Sequence, residues 1–230
     1  MAKKLKNALV TGAASRLGAE IAVALAEDGW NVAVHHNNSN PDKVLARINK
    51  TGVKTTALKA DLLDINQVSK LIQRAAKELG EITLLVNSAS IFEHIKFMES
   101  DENAYDSHMD IHVKAPFFLS QEFALQCHKG QIINIIDSAI QKNNGGHFVY
   151  FLSKHALRDL SQMLAKKLAP NIQVNAVLPG IVEEFATNVS PRLKESSLVS
   201  AKQLTGAIIS LANSDLTGQE IFVDNGKKLI

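Results

Sequence analysis

Residues 132–157, IINIIDSAIQKNNGGHFVYFLSKHAL, decide the fold and the chemistry predicted for this chain. They open with an isoleucine-rich run that is short and β-branched, which indicates a buried strand. After Asp137 and a polar loop at 143–146, a helical pattern carries Tyr150 and Lys154. These two residues are four apart and share one helix face, and a lysine ammonium favours ionisation of a neighbouring phenol. The stretch therefore predicts a proton-transfer site where the carboxyl end of a strand faces a helix.

The composition is that of an ordinary globular protein, with 46% hydrophobic and 21% charged residues. Lys and Arg number 25 against 23 Asp and Glu, and this balance argues against a nucleic-acid partner. Cys127 is the only cysteine in the sequence, so an internal disulfide is impossible. The N-terminus lacks a signal-peptide pattern, and no apolar run has the length of a membrane span. We therefore expect a cytoplasmic protein with no membrane partner.

Apolar, strand-like segments alternate with helical patterns along the whole chain. Strands are predicted at residues 7–11, 31–35, 54–59, 82–86, 132–136, 173–177 and 220–223. Besides the helix that carries Tyr150, helices are predicted at 17–25, 42–50, 68–79, 104–128 (with a kink at Pro116) and 200–212. This alternation predicts an α/β fold: a single domain over residues 1–230, with a doubly wound, Rossmann-type parallel sheet of about seven strands and helices on both faces. Residues 182–202, rich in Ser, Glu and Lys, are interpreted as either a mobile lid or a surface insertion.

The turn between the first strand and the first helix has the composition of an anion-binding turn. Its small residues let backbone N–H groups approach a phosphate at the helix N-terminus. A turn of this kind is weak evidence alone, since any strand-to-helix turn favours small residues. A cation beside the turn suits a phosphorylated ligand and strengthens the prediction. The residues concerned are Gly12, Ser15, Arg16, Leu17 and Gly18.

The end of the second strand indicates which dinucleotide is bound. A carboxylate there would bond the ribose 2′-hydroxyl and repel a 2′-phosphate. This chain has neutral residues instead, namely His35, His36, Asn37, Asn38 and Ser39. Together with Arg16 they predict NADP(H) rather than NAD(H). Asp61, after the third strand, is interpreted either as an acceptor for the adenine amino group or as a helix N-cap.

Over essentially its whole length the chain resembles the short-chain dehydrogenases/reductases. The resemblance is carried, in family order, by the glycine turn at 11–18, Asp61-Leu62, the turn at 87–90, Tyr150-x-x-x-Lys154, Pro179-Gly180, and the segments 217–219 and 224–226. It implies a nicotinamide cofactor and a general acid at Tyr150, with Lys154 lowering the pKa of the tyrosine and binding the nicotinamide ribose. It also implies that the cofactor contacts these two residues together with Leu62, Asn87, Ser88, Ala89, Pro179, Gly180, Ile181 and Val182.

Three departures from the commonest family pattern resemble the pteridine reductases. Arg16 stands where the turn usually has Gly, and Asp137 stands where the active-site strand usually ends in Ser. Ser90 replaces a Gly after the fourth strand, and Phe92 follows it. The segment IHV around His112 is similar to bacterial dihydromonapterin reductases, which have His in place of the usual helix Asn.

These features predict NADPH-dependent reduction of a dihydropterin, such as dihydromonapterin, dihydrobiopterin or dihydrofolate, to the tetrahydro form. A flat pterin suits an aromatic ring for stacking, and its N–H donors suit a carboxylate better than a hydroxyl. The predicted substrate contacts are Arg16, Ser90, Phe92, Asp137 and Tyr150, and the predicted catalytic residues are Asp137, Tyr150 and Lys154. In the simpler alternatives, Phe92 is a core residue and Asp137 caps the next turn.

Two other functions stay open at this point. One is reduction of another carbonyl, such as a 3-oxoacyl thioester, although Asp137 in place of Ser argues against it. The other is a non-catalytic NADP-binding sensor, although Tyr150 and Lys154 in register argue against it. No metal is expected, because His108 and His112 are four apart without a His-Glu-x-x-His pattern. By family analogy we expect a homotetramer or a homodimer.

Overall fold

The computed structural model describes residues 6–142, 145–186 and 198–227. Its β-strands are Asn7–Val10 (β1), Asn31–His36 (β2), Thr55–Lys59 (β3), Leu84–Asn87 (β4), Gly130–Ile135 (β5), Ile172–Pro179 (β6) and Glu220–Val223 (β7). Its α-helices are Arg16–Glu27 (α1), Asp42–Asn49 (α2), Ile65–Leu79 (α3), Glu102–Met109 (α4), Ala115–Gln126 (α5), Phe148–Leu168 (α6) and Ala201–Ala212 (α7). A π-helical turn, Asp110–Lys114, joins α4 to α5.

The strands form one parallel sheet of order β3-β2-β1-β4-β5-β6-β7. The chain builds outward from β1 to β3, then crosses to β4 on the other side of β1 and builds outward again. The carboxyl ends of β1 and β4 therefore flank a crevice where the strand order reverses, and open α/β sheets bind ligands at such a point. This arrangement confirms the predicted doubly wound α/β fold.

Both faces of the sheet are covered, because alternate residues of each strand point to opposite sides. On one side, Ala8 and Val10 of β1 pack with apolar residues of α1, α2 and α7. On the other side, Leu9 packs with residues of α3, α5 and the C-terminal part of α6. This double burial explains why the strands read as continuous apolar runs. Within the described ranges, no helix is both long and apolar enough to cross a membrane.

The helix predicted at 104–128 is in fact two α-helices, α4 and α5, separated by the π-helical turn. Pro116 lies in the first turn of α5. A proline has no N–H to donate to the carbonyl four residues earlier, which here belongs to His112. The irregular turn therefore forms before the proline rather than at it.

The segment 182–202 is only partly described. Val182 pairs with Val199 in an isolated parallel bridge, and α7 follows. Residues 187–197 lie outside the described residues, so the interpretation as a lid stays a prediction there. The same holds for residues 143–144 of the predicted polar loop.

Candidate active site

The centre of the candidate site is a hydrogen bond between a phenol and a carboxylate. Asp137 lies just beyond the carboxyl end of β5, and Tyr150 lies in the first turn of α6. The Tyr150 hydroxyl donates to Oδ2 of Asp137 at 2.9 Å. The other carboxylate oxygen, Oδ1, accepts from the backbone N–H of Ala139 at 2.8 Å. Asp137 therefore both caps the next turn and contacts the tyrosine.

Burial decides the protonation of this pair. Burial raises the pKa of Asp137, and hydrogen bonds from the Ala139 N–H and the Tyr150 hydroxyl only partly oppose the shift. The pKa of Tyr150 lies well above its ordinary value, first because burial penalises the phenolate and then because Asp137 repels it. Tyr150 is thus a neutral phenol. Burial and the carboxylate set the net direction of the Tyr150 pKa shift, so the effect expected of Lys154 on this pKa stays a prediction.

Lys154 is buried behind the tyrosine on α6. Its Nζ donates to the carbonyl of Ile135 at 3.0 Å and lies 5.6 Å from the centre of the Tyr150 ring. Burial lowers the pKa of Lys154 to about 8, and the Asp137 charge opposes this shift. The lysine is therefore held at the strand end, with a charge that changes at mildly alkaline pH.

The stacked rings of Phe92 and His147 form an aromatic wall, and Phe92 packs against Tyr150. Phe92 is 61% exposed, so it is not a core residue. Its ring stacks on the imidazole of His147, with centroids 4.2 Å apart and planes 19° apart. It also meets the Tyr150 ring at 83°, with centroids 4.7 Å apart. Because the carbonyl of Glu93 accepts from Nδ1 of His147 at 2.8 Å, the stack is anchored to the backbone. The wall offers a flat ligand an aromatic surface beside the tyrosine.

The predicted anion turn has no room for side chains at its glycines. A Cβ on Gly12, whose φ is +65°, would lie 2.8 Å from Cα of Ala89. A Cβ on Gly18 would collide with the carbonyl of Gly12. Thr11 ties the turn to the end of β4, because its Oγ1 accepts from the N–H groups of Ser88 and Ala89 at 2.9 and 3.0 Å. The turn and the end of β4 form one close-packed cradle at the crevice of the sheet.

Three further residues of the turn begin α1. Arg16 has a left-handed φ of 50°, and its guanidinium donates to the carbonyl of Phe185 at 3.3 Å and lies 5.7 Å from the centre of that ring. Arg16 therefore reaches across to the segment that follows β6. Ser15 is the N-cap of α1, but its hydroxyl accepts from no N–H of the helix. Leu17 packs against the core.

His35, predicted only as one of the neutral residues at the end of the second strand, has a structural role in the site. The Gly12 N–H donates to its Nδ1 at 3.0 Å, so its proton is on Nε2, which donates to the carbonyl of Ala60 at 3.1 Å. Burial lowers the pKa of His35 to about 4, so the ring is neutral and joins the ends of β1, β2 and β3.

The residues predicted for the adenosine half lie at the same edge of the sheet. His36 ends β2 and is half-buried, and its Nδ1 has no hydrogen-bond partner among the described residues. Asp61 follows β3, and its Oδ1 accepts from the N–H of Leu63 at 3.0 Å. The N-cap of α3 is Asp64, so the interpretation of Asp61 as that N-cap is wrong. The neighbouring predicted residues are Asn37, Asn38 and Ser39 after β2, and the buried Leu62.

The residues predicted for the nicotinamide half follow β4 and β6. Nδ2 of Asn87 donates to Oδ1 of Asn134 at 2.8 Å, and its own buried Oδ1 has no partner within the described ranges. The N–H of Gly180 donates to the carbonyl of Val223 at 2.7 Å. A Cβ on Gly180 would lie 3.0 Å from Cα of Asp224, so the chain is close-packed there. The predicted residues beside Gly180 are Pro179, at the end of β6, and Ile181 and Val182.

Comparison with known proteins agrees with this arrangement. The family model for short chain dehydrogenase matches residues 6–195, which is most of the chain. The chain belongs to the short-chain dehydrogenase family. Family membership makes the chain an oxidoreductase.

Proteins similar to this short-chain dehydrogenase are named for different substrates. FolM alternative dihydrofolate reductase 1 of Brucella canis, solved in complex with NADP, is 33% identical, and the match covers 98% of this chain and 95% of that one with a TM-score of 0.88. The 3-oxoacyl-(acyl-carrier-protein) reductase FabG of Staphylococcus aureus is 32% identical over 97% of this chain and 98% of its own length. The 2-dehydro-3-deoxy-D-gluconate 5-dehydrogenase of Dickeya dadantii is 35% identical over 82% of this chain and 75% of its own length. The substrate must therefore be argued from the residues of the site.

Proposed function

We propose that this short-chain dehydrogenase uses NADPH to reduce a dihydropterin to its tetrahydro form. The observation that carries the proposal is the Asp137 carboxylate, 2.9 Å from the Tyr150 hydroxyl. The Ser that is common at this position can donate or accept a hydrogen bond, whereas an ionised carboxylate only accepts. The amino and ring N–H groups of a pterin are donors, so the carboxylate favours a substrate of that kind. The similarity to an alternative dihydrofolate reductase supports the same assignment.

The close-packed cradle fits the diphosphate of NADP(H). Gly12 and Gly18 have no side chain that would cover the backbone of the turn. The N-terminus of α1 favours negative charge. The neutral end of β2 at His36 favours a 2′-phosphate over a free ribose hydroxyl. Further proposed contacts are Ser15, Arg16, Leu17, Asn37, Asn38, Ser39, Asp61 and Leu62 on the adenosine and diphosphate side. On the nicotinamide side they are Asn87, Ser88, Ala89, Tyr150, Lys154, Pro179, Gly180, Ile181 and Val182.

The residues at the carboxyl end of β5 supply the proton. NADPH, when bound, supplies the hydride for the C=N carbon of the pterin ring. Tyr150 donates its proton to the ring nitrogen as a general acid, and its raised pKa keeps it protonated until then. Lys154 stabilises the phenolate that remains and bonds the nicotinamide ribose. Asp137 holds the Tyr150 hydroxyl through Oδ2 and has lone pairs left for the substrate N–H groups.

The aromatic wall supplies the substrate surface. Phe92 presents an exposed ring beside Tyr150, and stacking on it places a flat pterin within reach of the phenol. Arg16 offers N–H donors for the ring carbonyl of the pterin, and Ser90 lies on the same side after β4. These residues touch only the substrate in this proposal, except for Arg16, which also approaches the diphosphate.

A second candidate is reduction of a 3-oxoacyl thioester, which the similarity to FabG favours. A third is binding of NADP without catalysis. A single experiment separates them: NADPH oxidation is followed by absorbance with dihydromonapterin, dihydrobiopterin, dihydrofolate and an acetoacetyl thioester. Turnover of a pterin supports the proposal, turnover of the thioester alone supports the second candidate, and NADPH binding without any turnover supports the third.

Three properties of the whole protein belong to the same proposal. We propose that residues 1–230 form one domain, that the protein is cytoplasmic, and that it assembles as a homodimer or a homotetramer. Light scattering of the purified protein tests the assembly. Cell fractionation tests the location.

A further inference from the structure

His112 lies behind the candidate site and has no role in the chemistry proposed above. It is buried on the π-helical turn between α4 and α5. Its ring meets that of Tyr150 almost at right angles, with centroids 5.5 Å apart. The common family residue at this position is Asn, so the imidazole is a departure from the usual family pattern.

The proton position of His112 follows from its backbone partner. The Ile91 N–H can only donate, and it lies 3.3 Å from Nε2. Nε2 is therefore an acceptor, and it also accepts from the Ser90 hydroxyl at 2.8 Å. The ring proton is on Nδ1, which donates to Oγ of Ser153 at 2.8 Å. Ser153 in turn donates to the carbonyl of Tyr150 at 2.7 Å.

The surroundings of His112 preserve these bonds. Burial, then Lys154 and then His108, hold the pKa of His112 well below its ordinary value, so the ring stays neutral. The His108 ring lies 5.7 Å away between centroids, and its Nδ1 donates to the carbonyl of Ala104 at 2.8 Å. A neutral ring that is closed off from solvent keeps one donor and one acceptor in fixed directions.

The hydrogen bonds connect two parts of the site that are distant in sequence. One end is the segment Ser90 to Ile91, which directly precedes Phe92. The other end is the first turn of α6, at the residue that donates the proton. Movement of the segment would change the distance between the aromatic wall and the Tyr150 hydroxyl.

We propose that His112 is a positioning residue whose Nε2 holds the segment carrying Phe92 against the π-helical turn beside Tyr150, while its Nδ1 bond to Ser153 orients the ring. The inference rests on the proposed function, in which the substrate stacks on Phe92 within reach of the Tyr150 hydroxyl. Loss of the Nε2 acceptor leaves the Ile91 N–H without its partner and frees the segment. Because the turn at Gly12 is held by other bonds, NADPH binding is not affected.

Two substitutions separate the two ends of the imidazole. In His112→Asn the side-chain amide lies near the place of Nδ1, so it keeps a donor for Ser153 but does not reach Ile91. In His112→Gln the amide oxygen reaches the place of Nε2, so it keeps an acceptor for Ile91 and Ser90. The first variant releases the segment, and the second is the matched control that retains it.

His112→Asn is expected to raise the KM for the pterin about tenfold, as for the loss of one buried hydrogen bond. It is also expected to speed amide hydrogen exchange at Ile91 and to leave the Kd for NADPH unchanged. His112→Gln is expected to keep the exchange rate at Ile91 and the KM close to those of the wild type.

Several results would overturn the proposal. They are an unchanged KM in His112→Asn, an equal change in both variants, or slow exchange at Ile91 in His112→Asn. Parallel loss of NADPH affinity and thermal stability in both variants would also overturn it, because it would assign His112 to core packing. Hydrogen exchange needs no substrate, so failure of the wild type to reduce any pterin refutes the proposed function separately. The KM is then measured with whichever carbonyl compound is reduced.

Discussion

The hydroxyl of Tyr150 donates to Oδ2 of Asp137 at 2.9 Å, so the proposed proton donor is hydrogen-bonded to a carboxylate. A serine at that position would offer a hydroxyl that can turn to donate or accept. The carboxylate instead raises the pKa of Tyr150 beyond the effect of burial. The pair therefore keeps the phenol protonated and offers acceptor oxygens, and the proposed reduction of a dihydropterin uses both properties.

Tyr150→Phe is expected to lower kcat by about 10²- to 10⁴-fold, the usual contribution of a general acid. The Kd for NADPH should stay within about threefold of the wild type, because the buried ring is retained and Lys154 keeps its bond to Ile135. Steady-state kinetics and fluorescence titration with NADPH measure the two effects. Full activity of the variant would remove Tyr150 from the role of proton donor.

Asp137→Ser restores the common family residue and is expected to lower kcat/KM for the pterin by about 10- to 100-fold, the range for losing a charged acceptor. Reduction of an acetoacetyl thioester should rise in the same variant. The matched control is Asp137→Asn, which keeps the shape and an oxygen for the Ala139 N–H but lacks the charge. Pterin turnover at the wild-type rate in both variants would show that the carboxylate does not select the substrate.

Local patterns in the sequence were sufficient for the fold and for part of the site. Periodicity placed the strands and helices, and the four-residue spacing placed Tyr150 and Lys154 on one face. The direction of the Tyr150 pKa shift was missed, because it depends on burial and on a tertiary contact with Asp137. The bonds of His35 and His112 were also missed, because they join residues that are distant in sequence and no local pattern links them.

Phe92→Ala is expected to raise the KM for the pterin about tenfold, because it removes a stacking surface and its buried area in the complex. The kcat should change less, since the Tyr150–Asp137 bond does not involve Phe92. Phe117→Ala is the control: it removes an exposed ring on α5 that packs edge-on against Phe118. An equal rise in KM in both variants, or none in Phe92→Ala, would contradict the role of the wall.

His36→Asp is expected to raise the KM for NADPH on the order of tenfold or more, because a carboxylate at the end of β2 repels a 2′-phosphate. The KM for NADH should fall or stay constant, since the same carboxylate accepts from the ribose 2′-hydroxyl. His36→Asn removes the ring without adding charge and should leave the preference for NADPH in place. If His36→Asp kept the wild-type ratio of the two KM values, the end of β2 would not be the determinant of cofactor choice.

The pH dependence of the protein should report the buried Lys154. Its pKa is lowered from 10.5 to about 8 in the folded protein. At pH values between these two figures the unfolded chain holds a proton that the folded chain has released, so this residue makes the free energy of unfolding rise with pH in that range. For activity the sign is opposite: the neutral lysine no longer stabilises the phenolate, and kcat/KM for NADPH should fall as the pH rises through about 8.

Lys154→Arg separates this effect from other titrations. An arginine keeps its charge at every pH used in such an assay, so the alkaline fall in kcat/KM near pH 8 should be absent from the variant even where its overall rate is lower. The contribution of this residue to the unfolding free energy above pH 8 should be absent as well, since no proton is released at this position. If kcat/KM of the variant fell above pH 8 as it does in the wild type, the fall would be due to the substrate or to another residue. Lys154 would then be charged over the whole pH range in which the enzyme works.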